Sequence, residues 1–261
     1  MNINFQKYHG TGNDFVMIDN RSLFFDPTNQ SLISQLCDRH FGIGADGLIL
    51  LELSEKHDFY MRYFNADGLE GSMCGNGGRC TVHFAKSLGI IADKTTFKAF
   101  DGLHYAEIEN DEVSLKMGNV SKIEIHQSHS FINTGSPHHV EIVTNLASYP
   151  VYEIGKQKRF GAPYFESGSN INFIEAIDDN TYKMRTYERG VENETLSCGT
   201  GATAAAIAMY EIGKSKSTKI TIEVLGGVLE ISFDKKGSVY ENVYLKGKAT
   251  FVFKGTYEFG F

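Results

Sequence analysis

Hydrophobic and polar positions along this chain follow mostly the two-residue alternation of strands. Runs rich in β-branched and aromatic residues predict strands at Asp14–Asp19, Gly47–Leu53, Asp58–Asn65, Thr96–Phe100, His104–Ile108 and Val113–Met117. A second series is expected at Ser130–Asn133, His139–Val143, Ile171–Ile177, Tyr182–Glu188, Lys219–Val224, Val228–Phe233, Ser238–Leu245 and Ala249–Phe253. Asn-Asp, Gly-Gly and Lys-Lys-Gly turn signals separate these runs, which implies largely antiparallel sheets. Helices are expected at Ser31–Arg39, after Cys74, and at Gly199–Ile212. The last carries Ala202, Ala204, Ala205, Ala206, Ile207, Ala208 and Met209, so it is apolar nearly all round and should be buried on every side. The helix after Cys74 is similar but bulkier, with Val82, Phe84, Ala85 and Leu88.

One pattern occurs twice. Tyr60-Met61-Arg62-Tyr63-Phe64-Asn65 returns as Tyr182-Lys183-Met184-Arg185-Thr186-Tyr187-Glu188, and Cys74-Gly75-Asn76-Gly77 returns as Cys198-Gly199-Thr200-Gly201. Met61 and Met184 are 123 residues apart and the cysteines 124, so one inserted residue reconciles the copies. Each copy runs strand, polar loop, Cys-Gly-x-Gly, helix. A repeat of this size points to two homologous domains, not to a solenoid of short units. The expected fold is therefore mixed α/β (α+β), with two pseudo-symmetric domains, each a mostly antiparallel, barrel-like sheet around a central helix. The first spans 1–118 and carries Cys74; the second spans 119–261 and carries Cys198. The join falls near Gly118 to Glu124, and the last strand is free to return to the first domain.

Composition narrows the function. A net charge of −7 with no Lys/Arg run argues against nucleic acid as a partner. The opening MNINFQKYHG lacks the long apolar core of a secretory signal, and no stretch approaches the roughly 18 apolar residues of a membrane span, so a cytoplasmic location is expected. The four cysteines form no Cys-x-x-Cys pair, which leaves neither a zinc site nor a disulfide scaffold to expect. Gly42-Ile43-Gly44-Ala45-Asp46-Gly47 matches a dinucleotide-binding fingerprint in letters only. That motif should follow a strand and open a helix, whereas here a helix precedes and a strand follows.

The thiols carry the chemistry. A cysteine at a helix start meets the positive end of the peptide dipole, which favours thiolate. Two such cysteines, delivered by two copies of one unit, suggest facing acid and base groups. Cys37 and Cys80 read as small hydrophobic packing residues. Asn13, Asn65, Asn170, Glu188 and Arg189 lie at strand ends or in polar loops, where each alone is more often a turn former or solvated charge. Arg189, close to Cys198 in sequence, is a natural partner for a substrate carboxylate. His138 has two open readings, orienting a base or capping a strand.

Taken in order, His9-Gly10-Thr11-Gly12-Asn13-Asp14-Phe15, Phe64-Asn65-Ala66-Asp67-Gly68, Met73-Cys74-Gly75-Asn76-Gly77, Ser136-Pro137-His138, Glu188-Arg189-Gly190 and Thr195-Leu196-Ser197-Cys198-Gly199-Thr200-Gly201-Ala202 resemble the diaminopimelate epimerase family over nearly the whole chain. The resemblance implies a cofactor-independent, metal-free interconversion of LL- and meso-2,6-diaminopimelate, in lysine and peptidoglycan precursor synthesis. It makes Cys198 the base in one direction and Cys74 the acid, with His138 and Glu188 supporting the proton transfers. It places Asn13, Asn65, Asn170, Glu188 and Arg189 around the substrate, with Asn65, Asn170 and Arg189 at its distal end. Gly75-Asn76 and Gly199-Thr200 would present backbone N–H groups to the carboxylate at the reacting carbon. Gly47 stands where some members carry a substrate-contacting Gln, and Ser136 where many carry Asn. The resemblance also suggests a homodimer, and Tyr257, Phe259 and Phe261 could pack at its interface. Two alternatives compete: a racemase for another amino acid, such as the proline racemase relatives, and a small-molecule binding protein with inert thiols.

Overall fold

The first strand, β1 (Asn2–Gly10), buries Ile3 and Phe5 between exposed Asn2 and Asn4, the alternation of a half-buried strand. The computed structural model describes residues 2–259, so Phe261 lies outside the described residues. Its contacts divide the chain into two compact units, one made of residues up to Leu115 together with those from Gly247 onward, the other Lys116–Lys246.

In the first unit β1 turns into β2 (Asn13–Asp19) through Thr11 (φ 50°) and Gly12 (φ 89°), two left-handed residues that match the twist of a tight hairpin. Helix α1 (Gln30–Cys37), capped by the Asn29 side chain, then carries the chain over to β3 (Gly47–Glu52), parallel to β2. Parallel neighbours need such a crossover. Strand β4 (Tyr60–Asn65) runs antiparallel to β3, and the short β5 (Glu70–Gly71) folds back on β4. Helix α2 (Gly75–Ser87) makes the second crossover, to β6 (Lys94–Ala99), parallel to β4. The hairpin strands β7 (Gly102–Glu109) and β8 (Glu112–Lys116) follow. Helix α2 lies against β1, β2, β3, β4 and β7.

The second unit repeats this plan. Strands β9 (Ile123–Ile125), β10 (Ser130–Asn133) and β11 (Pro137–Ile142) pair antiparallel in sequence. A short 3-10 turn, Leu146–Ser148, leads to α3 (Val151–Phe160), which crosses to β12 (Asn170–Ala176), parallel to β11. Strand β13 (Thr181–Glu188) is antiparallel to β12, and β14 (Asn193–Thr195) folds back on it. Helix α4 (Gly199–Glu211) crosses to β15 (Lys219–Val224), parallel to β13, before β16 (Gly227–Lys236) and β17 (Val239–Lys248). The final strand, β18 (Thr250–Glu258), pairs antiparallel with β1. It does for β1 what β9 does for β10. Parallel joints sit at the same two places in both units, so each sheet is mixed and not wholly antiparallel.

Neither β1 nor α3 is among the elements expected from sequence. Asn, Gln, Lys and His dilute the apolar signal of β1, and Lys7 is buried only because it pairs with Asp14 at 2.7 Å. Helix α3 carries a mid-helix glycine that weakens its helical reading. The glycine is required: a Cβ on Gly155 would lie 2.4 Å from the Tyr187 Cβ on β13.

Around α4 the core is formed by Ile132, Ile174, Met184, Ile220, Ile222, Leu229, Ile231 and Leu245, with the helix alanines fully buried among them. Alanine fits because the surrounding strands approach the helix backbone closely. We predict that Ala205→Leu, which adds volume at a site with 0% exposure, destabilises the protein by about 1–3 kcal/mol, read as a lowered midpoint in urea with unchanged slope.

Candidate active site

Both Cys-Gly-x-Gly segments take the same local form. Cys74 and Cys198 are the N-cap residues of α2 and α4, each with extended backbone angles (φ −88°, ψ 130° and φ −122°, ψ 106°). Intrahelical bonding starts at Gly78, whose N–H donates to Cys74 O at 2.7 Å, and at Ala202, whose N–H donates to Cys198 O at 2.9 Å. The N–H groups of residues 75–77 and 199–201 therefore lie ahead of the ladder, where a helix favours anions.

The fourth residue of each motif must be small. A Cβ on Gly77 would lie 3.0 Å from Ile49 Cδ1, and one on Gly201 would lie 2.4 Å from Asn172 Oδ1 and 3.2 Å from Cys198 Sγ. Glycine thus lets each helix start press against its sheet. Hairpin tips meet the same helix starts. A Cβ on Gly10 would be 2.8 Å from Asn76 O, and Thr134 Oγ1 donates to Thr200 O at 2.9 Å.

In the first unit Cys74 Sγ stands 3.6 Å from Asn13 Oδ1. Asn76 Nδ2 donates to that oxygen at 3.2 Å, and Asn13 Nδ2 donates to Asp46 Oδ2 at 2.7 Å. Arg79, wholly buried, donates to Asn76 Oδ1 (2.9 Å), Thr11 Oγ1 (3.1 Å) and Gly75 O (3.3 Å). Behind Asn13, Arg39 donates to Asp14 and Asp46, and Lys7 bonds Asp14 and Gly44 O. Burial alone would raise the Asp14 carboxyl, but the bonds from Arg39 and Lys7 outweigh it and hold it well below the usual carboxylate range. Asn65 ends β4 in an exposed position and accepts from Tyr63 Oη at 2.9 Å. Gly47 has no room for a side chain, because a Cβ there would meet Phe64 O at 2.5 Å and the Tyr63 ring at 2.7 Å.

In the second unit Cys198 is buried, with its Sγ 3.6 Å from Thr200 Oγ1. His138 on β11 is wholly buried. Asn172 Nδ2 is fixed as a donor by His139 O (2.8 Å), so the His138 Nδ1 it also meets (3.2 Å) accepts. His138 Nε2–H then donates to Ser136 Oγ at 3.0 Å. Burial, helped by the Arg189 charge, lowers the imidazole to about 3, so it is neutral at working pH. Asn170 donates to Ser136 Oγ (3.1 Å) and Pro137 O (3.0 Å) and accepts from the Arg189 N–H (2.9 Å). Glu188 Oε2 accepts from Thr195 Oγ1 at 2.9 Å, and the exposed Arg189 donates to Ser167 O.

Cys74, Gly75, Asn76 and Asn13 thus gather in the first unit, with Asn65 at a separate strand end. Cys198, Gly199 and Thr200 form one group in the second unit; His138 and Asn170 are joined through Ser136, and Arg189 is joined to Asn170 through its backbone N–H. Three contributors escaped the sequence reading: Arg79, Asp46 and Asn172. Asn172 is the β12 residue whose amide oxygen lies against Gly201, a contact that exists only in the fold. Burial holds the Cys37 and Cys80 thiols up at about 12, which leaves them to packing. Among the described residues no cluster of three His, Cys, Asp or Glu side chains could hold a metal ion, and no helix is long and apolar enough to cross a membrane.

A family model described as diaminopimelate epimerase matches residues 5–123 and 130–252. The chain belongs to the diaminopimelate epimerase family. A diaminopimelate epimerase of Flavobacterium psychrophilum is 57% identical over 251 residues, covering 96% of this chain and 98% of that one. One of Chlorobaculum tepidum is 40% identical over 257 residues, covering 95% and 98%. Among solved structures, a PhzF-family phenazine biosynthesis protein of Bacillus anthracis superposes with TM-score 0.79 at 15% identity, covering 99% of this chain and 100% of that one. A hydroxyproline epimerase of Agrobacterium vitis superposes with TM-score 0.69 at 14% identity, covering 98% and 91%. At such identities the superpositions establish the fold alone.

Two outcomes follow from this geometry. Gly201→Ala should displace Asn172 or the Cys198 sulfur and lower kcat/KM for the family's substrate by about 100-fold, checked by steady-state kinetics. Because the folded His138 sits near 3 against an ordinary 6.5, the unfolded chain binds a proton that the folded chain refuses between those values. Stability should therefore fall as pH drops from about 6.5 towards 3, and His138→Gln should flatten that fall in urea melts at stepped pH.

Proposed function

We propose that this protein interconverts LL- and meso-2,6-diaminopimelate by moving the α-proton between two thiols, with no cofactor. The observation that carries the reading is the pair of cysteines at matching helix starts in two units of one plan, in a chain 57% identical to a diaminopimelate epimerase.

In one direction the Cys198 thiolate takes the proton from the α-carbon. The electron pair of the broken C–H bond spreads into the adjacent carboxylate, and the Cys74 S–H delivers its proton to the opposite face. Cys198 ends as thiol and Cys74 as thiolate, so the reverse reaction exchanges their roles. Inversion requires two groups, since one group returning its own proton tends to retain configuration. The N–H groups of Gly75-Asn76 and Gly199-Thr200 stabilise charge growing on the carboxylate; such preorganised donors are worth about 3 kcal/mol each. Asn13 binds the substrate near Cys74, and Asn65, Asn170 and Arg189 hold its distal end. Neutral His138 and Glu188 support the proton transfers. Each unit is one domain of the enzyme, which acts in the cytoplasm as a homodimer on a small-molecule substrate.

In heavy water, diaminopimelate should gain α-deuterium with the purified protein, and Cys74→Ala or Cys198→Ala should each lower kcat by about 10²–10⁴-fold or more. Near-normal turnover by either variant would sink the two-thiol mechanism. Label entering proline instead would move the substrate assignment to a different amino acid.

A further inference from the structure

Asn13 and Asn76 form an amide pair with a charge at each end. A carboxylate, Asp46, accepts from Asn13 Nδ2 at 2.7 Å. Asn13 Oδ1 accepts from Asn76 Nδ2 at 3.2 Å, and Asn76 Oδ1 accepts from the Arg79 guanidinium at 2.9 Å. The two ends permit one orientation only. Turning the Asn13 amide would set its oxygen against the Asp46 carboxylate and its NH₂ against that of Asn76; turning Asn76 would set NH₂ against guanidinium. Arg79 is wholly buried, and among the described residues its hydrogen bonds go to this region, to Asn76, Thr11 and Gly75. Among the described residues it faces no carboxylate within ion-pair distance, so burial of that cation is not explained by a salt bridge.

We infer that Asp46 and Arg79 are positioning residues that, acting from opposite ends of the Asn13–Asn76 pair, hold an acceptor oxygen against the Cys74 sulfur. Asn13 Oδ1 can only accept, so its 3.6 Å contact with Sγ is a hydrogen bond only while Cys74 keeps its proton. The clamp thus favours the S–H form and readies Cys74 as the acid. Other groups near this position are the Arg79 cation, whose charge by itself favours the Cys74 thiolate and which Arg79→Lys retains, the Cys80 thiol, Arg39, Asp14 and Lys7 behind Asn13, and Asp101, which accepts from the Met73 N–H. This inference rests on the reading of Cys74 as an acid–base thiol, but its test needs no turnover.

The test titrates Cys74 by the pH dependence of iodoacetamide alkylation in a Cys198→Ala background. Cys37 and Cys80 are buried with thiols near 12 and do not compete. Asp46→Asn, at a side chain 44% exposed that also accepts from Arg39 and the Asp14 N–H, should in a protein that melts like the parent lower the Cys74 midpoint by about one pH unit, because Asn13 can then turn a donor towards sulfur. Loss of the carboxylate charge alone would also lower it, so the same substitution is made with Asn13→Ala. The shift should vanish there; an equal shift in both backgrounds overturns the clamp. Arg79→Lys keeps the charge but loses the fork, and should move the midpoint in the same direction. An unmoved midpoint in a variant that melts like the parent overturns the two-ended arrangement. Loss of α-deuteration in the parent protein would instead strike the epimerase reading and leave this titration intact.

Discussion

Close approach of a helix start to its own sheet is the constraint on which the rest depends. The helix dipole and the leading N–H groups act over a turn or less, so a cysteine gains from them only as the cap itself. Both units meet this by setting cysteine at the cap and glycine three residues later, with Ile49 or Asn172 occupying the space a Cβ would need. The hairpin tips then fit over the same turn, at Gly10 and at Thr134. Alanines along α4 continue the close contact down the helix. The motif is therefore a packing solution as much as a chemical one, and the two roles cannot be separated by substitution at glycine.

Two thiols placed alike are not surrounded alike. Near Cys74 the partners are charged or bound to charges: Arg79, Asp46 and the Arg39–Asp14–Lys7 group. Near Cys198 stand neutral groups, among them the Thr200 hydroxyl at sulfur and an Asn172 amide that touches a histidine unable to protonate near neutral pH. A fixed neutral imidazole does not compete for protons, whereas an amide held between ionic groups presents one face only. Such a difference in environment is what the proposed mechanism requires of two chemically identical groups that must hold different protonation states.

Most strands and the two buried helices were legible because their side chains alternate or recur cleanly. The repeat was legible because Met-Arg and Cys-Gly-x-Gly survive in both halves. What stayed hidden shares one cause: residues whose role exists only through a distant partner. Lys7 looks like a surface lysine until Asp14 buries it, and Gly155 looks like a helix breaker until Tyr187 claims its space. Arg79 reads as an ordinary helix residue, and Asp46 as part of a turn. The α3 crossover was recoverable from the repeat, since α1 occupies the same place between parallel strands. Local propensity argued against it, and tertiary packing won.

At Gly47 and Ser136 the neighbouring residues explain why the residue present is small. At Gly47 the Tyr63 ring fills the space of a longer side chain, and its hydroxyl reaches Asn65. At Ser136 a single hydroxyl oxygen accepts from both His138 and Asn170, a junction that a short side chain can make. Both positions therefore touch residues proposed to contact the substrate, Asn65 through Tyr63 and Asn170 directly. Folds shared with phenazine and hydroxyproline proteins at 14–15% identity say nothing about such junctions. A fold shared this widely leaves activity to the side chains near each helix start, which here are Asn13, Asn76 and Thr200 beside the two capping cysteines.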